Sequence, residues 1–450
     1  MNVKVVLVGA GSYGWGPTIL GNILSKEHLD GCHVVLHDLN AEALAMNFEL
    51  AERYQQACGA SITFEQTTEQ SAAFDGADYV VVTISTGGLR TMRPDLEIPE
   101  KYGIFQTVGD TTGPGGLSRA LRNIPVFLEM ARNMEELCPD AWMINLSNPL
   151  AALTRVVTGE TSIRAIGSCH GVGGVASMYA RFFDTPFAEC AYVNTGIDHC
   201  SWFTDMIVRG GQALELLIEM GLDDWLTLPP EEAREDGTFG SLYALRCGIM
   251  LGREIGALPA IGDRHMCEFL PTFVQSEENV EAFGLTRTSI AEREEHYRDA
   301  KARIERMLSG EEEIKIERGT DVVGVAHADD VGGWIVALEG GPAVEDNLNV
   351  PNIGQIPELP LGAVVETRGI LDATGIRPIA SPMPPAIEAI VRPHVLREEL
   401  TVEAAVEGDF EKAVAALATD PLVARPDLAR PMLRELMEAN RDWLPQFSLA

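Results

Sequence analysis

The sequence is short of positive charge, of paired cysteines and of long apolar runs, and each shortage excludes a class of protein. Only 34 of the 450 residues are Lys or Arg, against 67 Asp or Glu, which leaves a formal net charge of −33. A surface of that sign repels the phosphates of nucleic acids and anionic lipid headgroups. We therefore expect neither nucleic acid nor a membrane as a partner.

The eight cysteines are scattered and none forms a Cys-x-x-Cys pair, which favours a reducing compartment over a disulfide framework. Met1 leads directly into an apolar run at 3–8, without the basic region and cleavage site of a secretory signal. No apolar run approaches the about 20 residues that span a bilayer. These absences predict a cytoplasmic protein.

Apolar residues make up 46% of the chain, so a sizeable core is expected. From Val3 to about Phe183, β-branched runs alternate with helical patterns, and this alternation predicts βαβ units and a parallel sheet. The candidate strands are 3–8, 32–36, 61–64, 79–84, 141–146 and 164–168, and the candidate helices are 41–57, 117–136 and 150–158.

The strict alternation ends beyond about Tyr192. A charged helical stretch with a solvated face covers 277–313, turn-rich segments follow at 332–341 and 350–354, and a strand at 363–367 precedes a helical block at 386–438. The fold class expected is α/β: a Rossmann-type doubly wound parallel sheet at 1–190 and an interleaved α+β domain at 191–450, as in lactate and malate dehydrogenases.

A glycine-rich turn follows the first strand. Gly9, Gly11 and Gly14 form Gly-x-Gly-x-x-Gly, with Ser12 inside the turn. Such glycines let the backbone approach a pyrophosphate, which the amides of the next helix then bind. Asp38 ends the second strand, near the offset of about 20 residues at which an acid binds ribose hydroxyls and favours NAD over NADP. The alternative is an ordinary glycine turn.

Polar residues also follow two further strands, where open α/β sheets bind ligands. Ser85, Thr86 and Gly87 follow the strand at 79–84 and are expected at the nicotinamide side of the cofactor. The polar segment at 101–116 is interpreted as a functional loop. Asn148 follows the strand at 141–146 and could bind substrate hydroxyls, although an Asx turn also explains it.

Cys169 and His199 are candidate metal ligands. A thiolate and an imidazole suit a borderline-soft divalent metal, but two ligands do not complete a site, so a substrate would supply the rest. Taken singly, Cys169 is as easily a buried small hydrophobe, and His199 a core histidine.

Together, the motifs at 9–14, 98–103, 106–116, 118–122, 145–149, 169–170 and 196–199 resemble those of the NAD- and metal-dependent glycosidases of glycoside hydrolase family 4. The resemblance implies Mn²⁺ held by Cys169 and His199, substrate bound by Asn148, and protonation of the leaving oxygen by His170. It also implies a redox route, with oxidation at C3, elimination of the C1–O bond, addition of water and re-reduction. This family is an exception among glycosidases, most of which use two carboxylates.

A charged run at 262–271 resembles the α-galacturonidases of the family. The match implies that Asp263 removes the C2 proton, and Arg264 could pair with a substrate carboxylate. The alternative is an Asp263–Arg264 network that holds a loop. Arg93, Arg119 and Arg122 are the next candidates to bind that carboxylate, and the role of Asp198, where the family usually has Asn, stays open.

The function predicted is hydrolysis of α-linked galacturonides with NAD and Mn²⁺, by a homodimer or homotetramer. The family also offers α-glucuronidase, α-galactosidase and α-glucosidase activities. Two competing interpretations are a 2-hydroxy-acid dehydrogenase of the malate or lactate type, which needs no metal, and a catalytically silent NAD-binding regulator.

Overall fold

A computed structural model describes residues 1–319 and 330–448. Its strands, numbered along those residues, are β1 (Lys4–Val8), β2 (His33–His37), β3 (Thr63–Thr67), β4 (Tyr79–Val82), β5 (Trp142–Asn145), β6 (Arg164–Gly167), β7 (Ala191–Ile197), β8 (Cys200–Val208), β9 (Gly211–Gln212), β10 (Leu258–Pro259), β11 (Val344–Pro351), β12 (Val364–Asp372) and β13 (Gly375–Pro378).

The α-helices of the same residues are α1 (Trp15–Ser25), α2 (Ala41–Cys58), α3 (Gln70–Phe74), α4 (Gly88–Lys101), α5 (Gly113–Leu137), α6 (Leu150–Glu160), α7 (Gly171–Phe182), α8 (Ala213–Glu219), α9 (Leu222–Leu226), α10 (Pro230–Glu235), α11 (Arg246–Ile255), α12 (Asp263–Phe269), α13 (Glu277–Ala282), α14 (Ile290–Ser309), α15 (Val331–Leu338), α16 (Pro385–Glu407), α17 (Phe410–Ala418) and α18 (Ala429–Ala439). None of these helices combines the length and the apolar character needed to cross a bilayer.

Among the described residues, the main sheet has nine strands in the order β13-β12-β11-β6-β5-β4-β1-β2-β3. The six strands from β6 to β3 are parallel, which is the Rossmann order, and β11 adds to β6 in the antiparallel direction. Strands from the C-terminal part therefore extend the N-terminal sheet. The predicted fold class, including the interleaving, is confirmed.

Hydrophobic cores lie on both faces of this sheet, because side chains alternate along each strand. In β1, Val6 and Val8 face the core that contains α5 and α6, whereas Val5 and Leu7 face the core that contains α1 and α2. The strand is therefore apolar at nearly every position, as expected for a parallel sheet covered on both sides.

A smaller sheet has the order β10-β8-β7, with β9 paired to β8. Its strands β7 and β8 form a hairpin in which Ile197 pairs with Cys200. The turn between them is therefore two residues long and consists of Asp198 and His199.

Three segments differ from the sequence-based prediction. Helix α4 occupies most of the segment between the strand at 79–84 and the predicted loop, and it contains Pro94 and Pro99. The segment 332–341, predicted to be turns, is largely helix α15, whose N-cap Asp330 accepts a hydrogen bond from the amide of Gly333. The predicted loop at 101–116 also ends early, because α5 begins at Gly113.

Candidate active site

A cleft of about 820 Å³ opens at the carboxyl ends of the parallel strands. Most of the residues singled out from the sequence line it: Gly9, Gly11, Ser12, Asp38, Ser85, Thr86, Gly87, Asn148, Cys169, His170 and His199. This is the position where open α/β sheets bind ligands. Gly14, Arg93, Asp263 and Arg264 are not among the lining residues.

The glycine-rich turn has glycine where the fold requires it. Gly9 has a φ of +86°, and a Cβ there would lie 2.1 Å from the carbonyl oxygen of Thr83. At Gly11 a Cβ would meet the Asp38 carboxyl at 2.8 Å. Gly14 differs, since a Cβ there would meet nothing within 4 Å, and it is instead the N-cap residue of α1.

Asp38 is fixed at the end of β2 by backbone amides. One carboxyl oxygen accepts a hydrogen bond from the amide of Gly11 and the other from the amide of Asn40, both at 2.8 Å. Each oxygen of a carboxylate can accept a second bond. The side chain is therefore held in one orientation while it keeps acceptor capacity towards the cleft.

Cys169, Asp198 and His199 offer ligand atoms that all lie within 4.8 Å of one another. Cys169 comes from the loop after β6, whereas Asp198 and His199 come from the β7–β8 hairpin. His199 has a φ of +64°. A left-handed conformation is uncommon for residues other than glycine, although His, Asn and Asp adopt it more often than the rest, and it fits the tight turn of this hairpin.

Asp110 and His265, which the sequence analysis did not single out, meet the other side of His199. The ligand atoms of these three residues also lie within 4.8 Å of one another, and the two imidazole rings are 3.8 Å apart. Asp110 belongs to the polar loop before α5, so the unusual content of that loop was the signal that could have identified it. His265 belongs to the charged run that begins at Asp263.

Charge within this group is balanced. Although burial opposes it, Arg119, His265 and His199 hold the pKa of Asp110 below its usual range. Burial lowers the pKa of His199 well below its usual value, and it also lowers that of His265. Asp110 is therefore a carboxylate near neutral pH, and the two imidazoles are uncharged.

The ionised Asp110 determines the tautomer of His199. The Thr111 hydroxyl lies 2.8 Å from both the Asp110 carboxylate and His199 Nδ1. A carboxylate can only accept, and a hydroxyl has one hydrogen, so Thr111 donates to Asp110 and His199 Nδ1–H donates to Thr111. This leaves Nε2 as the unprotonated ring nitrogen, which is the form that binds metals.

Only one residue of the run 263–265 lines the cleft. Consecutive residues of a helix point about 100° apart, and of the first three residues of α12 it is His265 that faces the cleft. The carboxyl of Asp263 instead accepts hydrogen bonds from the amides of Cys247 and Gly248, at 2.8 and 2.9 Å. These amides belong to the first turn of α11, so Asp263 acts as a cap for that helix. Burial raises its pKa to about 7.

The predicted arginines are separated by the structure. Arg264 donates to the Thr288 hydroxyl at 2.6 Å and to the carbonyl of Thr107 at 3.5 Å, which ties α12 to two loops. Arg93 lies on the surface of α4, where it pairs with Glu97 and Glu294. Arg122 is fully buried and pairs with Asp95.

Two arginines line the cleft. Arg119 of α5 donates to the carbonyl of Asn148 at 3.0 Å and lies near Asp110. Arg293 comes from α14, the helix whose face was predicted to be solvated, and no described carboxylate pairs with it. Its neighbour one turn later, Tyr297, packs against Tyr13 of the glycine-rich turn at 4.9 Å between ring centres.

Asn148 and His170 complete the wall between the glycine-rich turn and the cysteine. The side-chain amide of Asn148 lies 3.4 Å from the Asp110 carboxylate. His170 is exposed to the cleft at the N-cap of α7, and its ring lies 6.2 Å from that of Trp15.

Comparisons with known proteins agree over nearly the whole chain. The model of "Family 4 glycosyl hydrolase" matches residues 4–184, and that of the "Family 4 glycosyl hydrolase C-terminal domain" matches residues 194–423. An alpha-galacturonidase of Lachnoclostridium phytofermentans is 32% identical, with 99% of this chain and 97% of the relative covered.

Solved structures are similar as well. The crystal structure of Bacillus subtilis lplD superposes with a TM-score of 0.83 at 28% identity, covering 97% of this chain and 99% of that one. A 6-phospho-alpha-glucosidase from gut microorganisms, solved in complex with NAD and Mn²⁺, has a TM-score of 0.81 at 21% identity and is covered in full, as is this chain. At that identity the second likeness concerns the fold.

Proposed function

Because the chain belongs to family 4 of the glycosyl hydrolases, and is therefore a glycoside hydrolase, we propose that it hydrolyses α-linked galacturonides with NAD and Mn²⁺. The observation that carries the proposal is a single cleft lined by the glycine-rich turn, a cysteine–histidine donor pair and two arginines. Membership of the family favours hydrolysis over the dehydrogenase and over a silent regulator.

The residues at one end of the cleft fit NAD. The turn at Gly9 and Gly11 has no room for side chains, so backbone amides can come close to a pyrophosphate. Asp38, held by two amides and with acceptor capacity left, suits the two ribose hydroxyls, and its charge disfavours the additional phosphate of NADP. Ser85 and Thr86 lie further along the cleft, where we place the nicotinamide.

The residues at the other end fit a divalent metal. Cys169 offers sulfur and His199 offers the unprotonated Nε2, a donor pair that suits Mn²⁺ or a similar ion when a substrate supplies oxygen ligands. When bound, NAD supplies a reversible hydride acceptor, and the metal supplies a Lewis acid for the sugar oxygens.

The chain itself positions the sugar and moves protons. Asn148 offers an amide to the sugar hydroxyls, and its orientation is set by Asp110. His170, exposed to the cleft, is proposed to protonate the leaving oxygen. The resemblance assigns removal of the C2 proton to Asp263. His265 is proposed for this step instead, because it is uncharged and lines the cleft.

Selection of a uronic acid is proposed to depend on Arg293 and Arg119. The net charge of −33 repels an anionic substrate, so a carboxylate needs local cations. Arg293 and Arg119 line the cleft close enough to disfavour each other's charge, and an anion between them would relieve this. Arg264, the residue predicted for this role, is already bound by Thr288 and Thr107.

The test compares p-nitrophenyl α-galacturonide with the α-galactoside and α-glucuronide, with and without NAD, Mn²⁺ and thiol. Removal of one partner of a desolvated charge pair costs about 2–5 kcal/mol, or roughly thirty- to several-thousand-fold in kcat/KM. Arg293→Gln should lose that much on the galacturonide and little on the galactoside, while Arg264→Gln serves as control. A wild-type preference for the neutral galactoside would contradict the substrate assignment, and equal losses would contradict the role of Arg293.

Two further points are proposed from the sequence. The eight cysteines are scattered and form no Cys-x-x-Cys pair, which supports the proposal of a cytoplasmic location. The homodimer or homotetramer is checked by light scattering on the purified full-length chain.

A further inference from the structure

Asp198 is a buried carboxyl that pairs with no lysine or arginine within the described part of the chain. It is 1% exposed, and neither of its carboxyl oxygens has a hydrogen-bond partner there. His199 Nδ1 lies 3.6 Å away and donates to Thr111 instead, whereas the Cys169 thiol and the His170 ring lie close enough to favour the charge of Asp198. The hairpin turn therefore places a buried carboxyl group beside a thiol and imidazole rings, without a lysine or arginine of the described residues to neutralise it.

Such an arrangement is costly by itself. An ionised carboxylate that is removed from water loses several kcal/mol of solvation unless a cation or hydrogen-bond donors replace it. Glu366, which is fully buried and close enough to oppose a charge on Asp198, adds to the cost. A second carboxylate nearby cannot compensate the first.

The other carboxylate at His199 provides a contrast. Asp110 accepts a hydrogen bond from Thr111, lies 3.4 Å from the Asn148 amide and faces Arg119. Its charge is therefore satisfied by the protein. Of the two carboxylates beside His199, Asp198 is the one that no described arginine faces.

We infer that Asp198 is a third protein ligand of the divalent metal, together with Cys169 and His199, whose ligand atoms all lie within 4.8 Å of one another. The inference rests on the metal dependence proposed above. A thiolate, a carboxylate and a neutral imidazole carry two negative charges in all, which balance a dication in a buried site. Substrate oxygens then fill the remaining positions.

The experiment measures Mn²⁺ binding rather than turnover, by following the electron paramagnetic resonance of free Mn²⁺ titrated with full-length protein. Asp198→Asn keeps the shape and removes the charge. We expect its affinity for Mn²⁺ to fall by about 10- to 100-fold or more, since loss of even an outer partner of a ligand costs that much. Glu366→Gln is the matched control, because this neighbouring buried carboxyl lies outside the ligand set, and it should bind Mn²⁺ as the wild type does.

Thermal unfolding gives a second readout. Without metal, Asp198→Asn should melt no lower than wild type, because it buries no charge. With Mn²⁺, the increase in Tm should be smaller than in wild type, because ligand binding stabilises in proportion to affinity.

The outcomes separate the inference from the proposed function. Equal Mn²⁺ affinities in wild type and Asp198→Asn would overturn the inference and leave the metal dependence intact. A wild type that binds no Mn²⁺ would instead overturn the proposed cofactor. If the variant does not fold, a crystal structure of the Mn²⁺-loaded wild type decides, and an Asp198 carboxylate outside bonding distance of the metal overturns the inference.

Discussion

The exchange of two carboxyl groups of α12 for amides tests how each is bound. Asp263 accepts one amide N–H on each of its two oxygens, from Cys247 and Gly248. Glu268 accepts two amide N–H groups on the single oxygen Oε1, both at 2.7 Å. An amide side chain has only one oxygen. Asp263→Asn therefore leaves one amide of α11 without an acceptor, whereas Glu268→Gln keeps both bonds.

The difference in unfolding free energy between Asp263→Asn and wild type is expected to change sign with pH. An unsatisfied buried N–H costs about 1–3 kcal/mol, and this is the expected loss of unfolding free energy for Asp263→Asn in acid. Burial raises the pKa of Asp263 from 3.8 to about 7, so the folded state holds the proton more tightly than the unfolded state. The stabilising contribution of protonated Asp263 is therefore complete below pH 3.8. It is lost as the pH rises from there through about 7, which lowers the unfolding free energy of the wild type by about 4 kcal/mol.

An amide does not titrate, so the deficit of Asp263→Asn should shrink and then reverse as the pH rises. Glu268, whose pKa burial raises from 4.5 to about 8, should give a gain of about 5 kcal/mol over that range on exchange for Gln. No initial loss is expected for Glu268→Gln. The assay is urea unfolding at several pH values, followed by tryptophan fluorescence.

The turnover number of Asp263→Asn can refute the capping role of Asp263. A residue that only caps α11 should leave kcat of the folded Asp263→Asn variant close to that of wild type, whereas loss of a general base costs about 10²- to 10⁴-fold. A folded variant with such a loss would show that Asp263 reaches the substrate, as the resemblance implies. Equal behaviour of the two amide variants in acid would also contradict the capping role.

Two further predictions concern the ends of the cleft. Cys169→Ser replaces a thiolate by a weaker hydroxyl ligand, so Mn²⁺-dependent hydrolysis should be lost. NAD binding, measured by fluorescence, should be unchanged. Full activity of the variant would show that the cysteine only fills the core. Asp38→Ala should raise the affinity for NADP relative to NAD, because the carboxylate no longer repels the additional phosphate. An unchanged ratio of the two dissociation constants would show that Asp38 does not face the ribose.

The Rossmann half could be predicted from the sequence because its strands are buried on both faces. A strand such as β1 is then a continuous β-branched run, which is recognisable without knowledge of its neighbours. Helix α4 was missed because Pro94 and Pro99 argue against a helix, yet contacts from elsewhere support it. The buried pair of Asp95 in α4 with Arg122 in α5 is one such contact. Gly332 and Gly333 likewise argue against a helix at α15, which forms because almost all of its residues are buried.

The site was less accessible to sequence reasoning, because a motif gives composition and not orientation. The run 263–265 contains three polar residues, and only the rotation of α12 about its axis decides which of them faces the cleft. That rotation is set by groups distant in sequence. The amides at the start of α11 donate hydrogen bonds to Asp263, and Arg264 donates one to Thr288. Neither partner is visible from the run itself, so His265 was overlooked.

The strand order explains why motifs that are distant in sequence lie together in the cleft. It also explains why the motifs of the parallel sheet do not complete the proposed metal site. Across the sheet the strands run β2, β1, β4, β5 and β6, so their carboxyl ends present a row from Asp38 through Gly9 to Cys169. Neighbouring strands lie about 4.8 Å apart, which separates the two ends of the row by about 19 Å. The row ends with only one of the proposed metal donors, Cys169. Asp198 and His199 come from the β7–β8 hairpin, which lies outside this sheet, so the proposed metal site forms only when that hairpin packs against the carboxyl ends of the parallel strands.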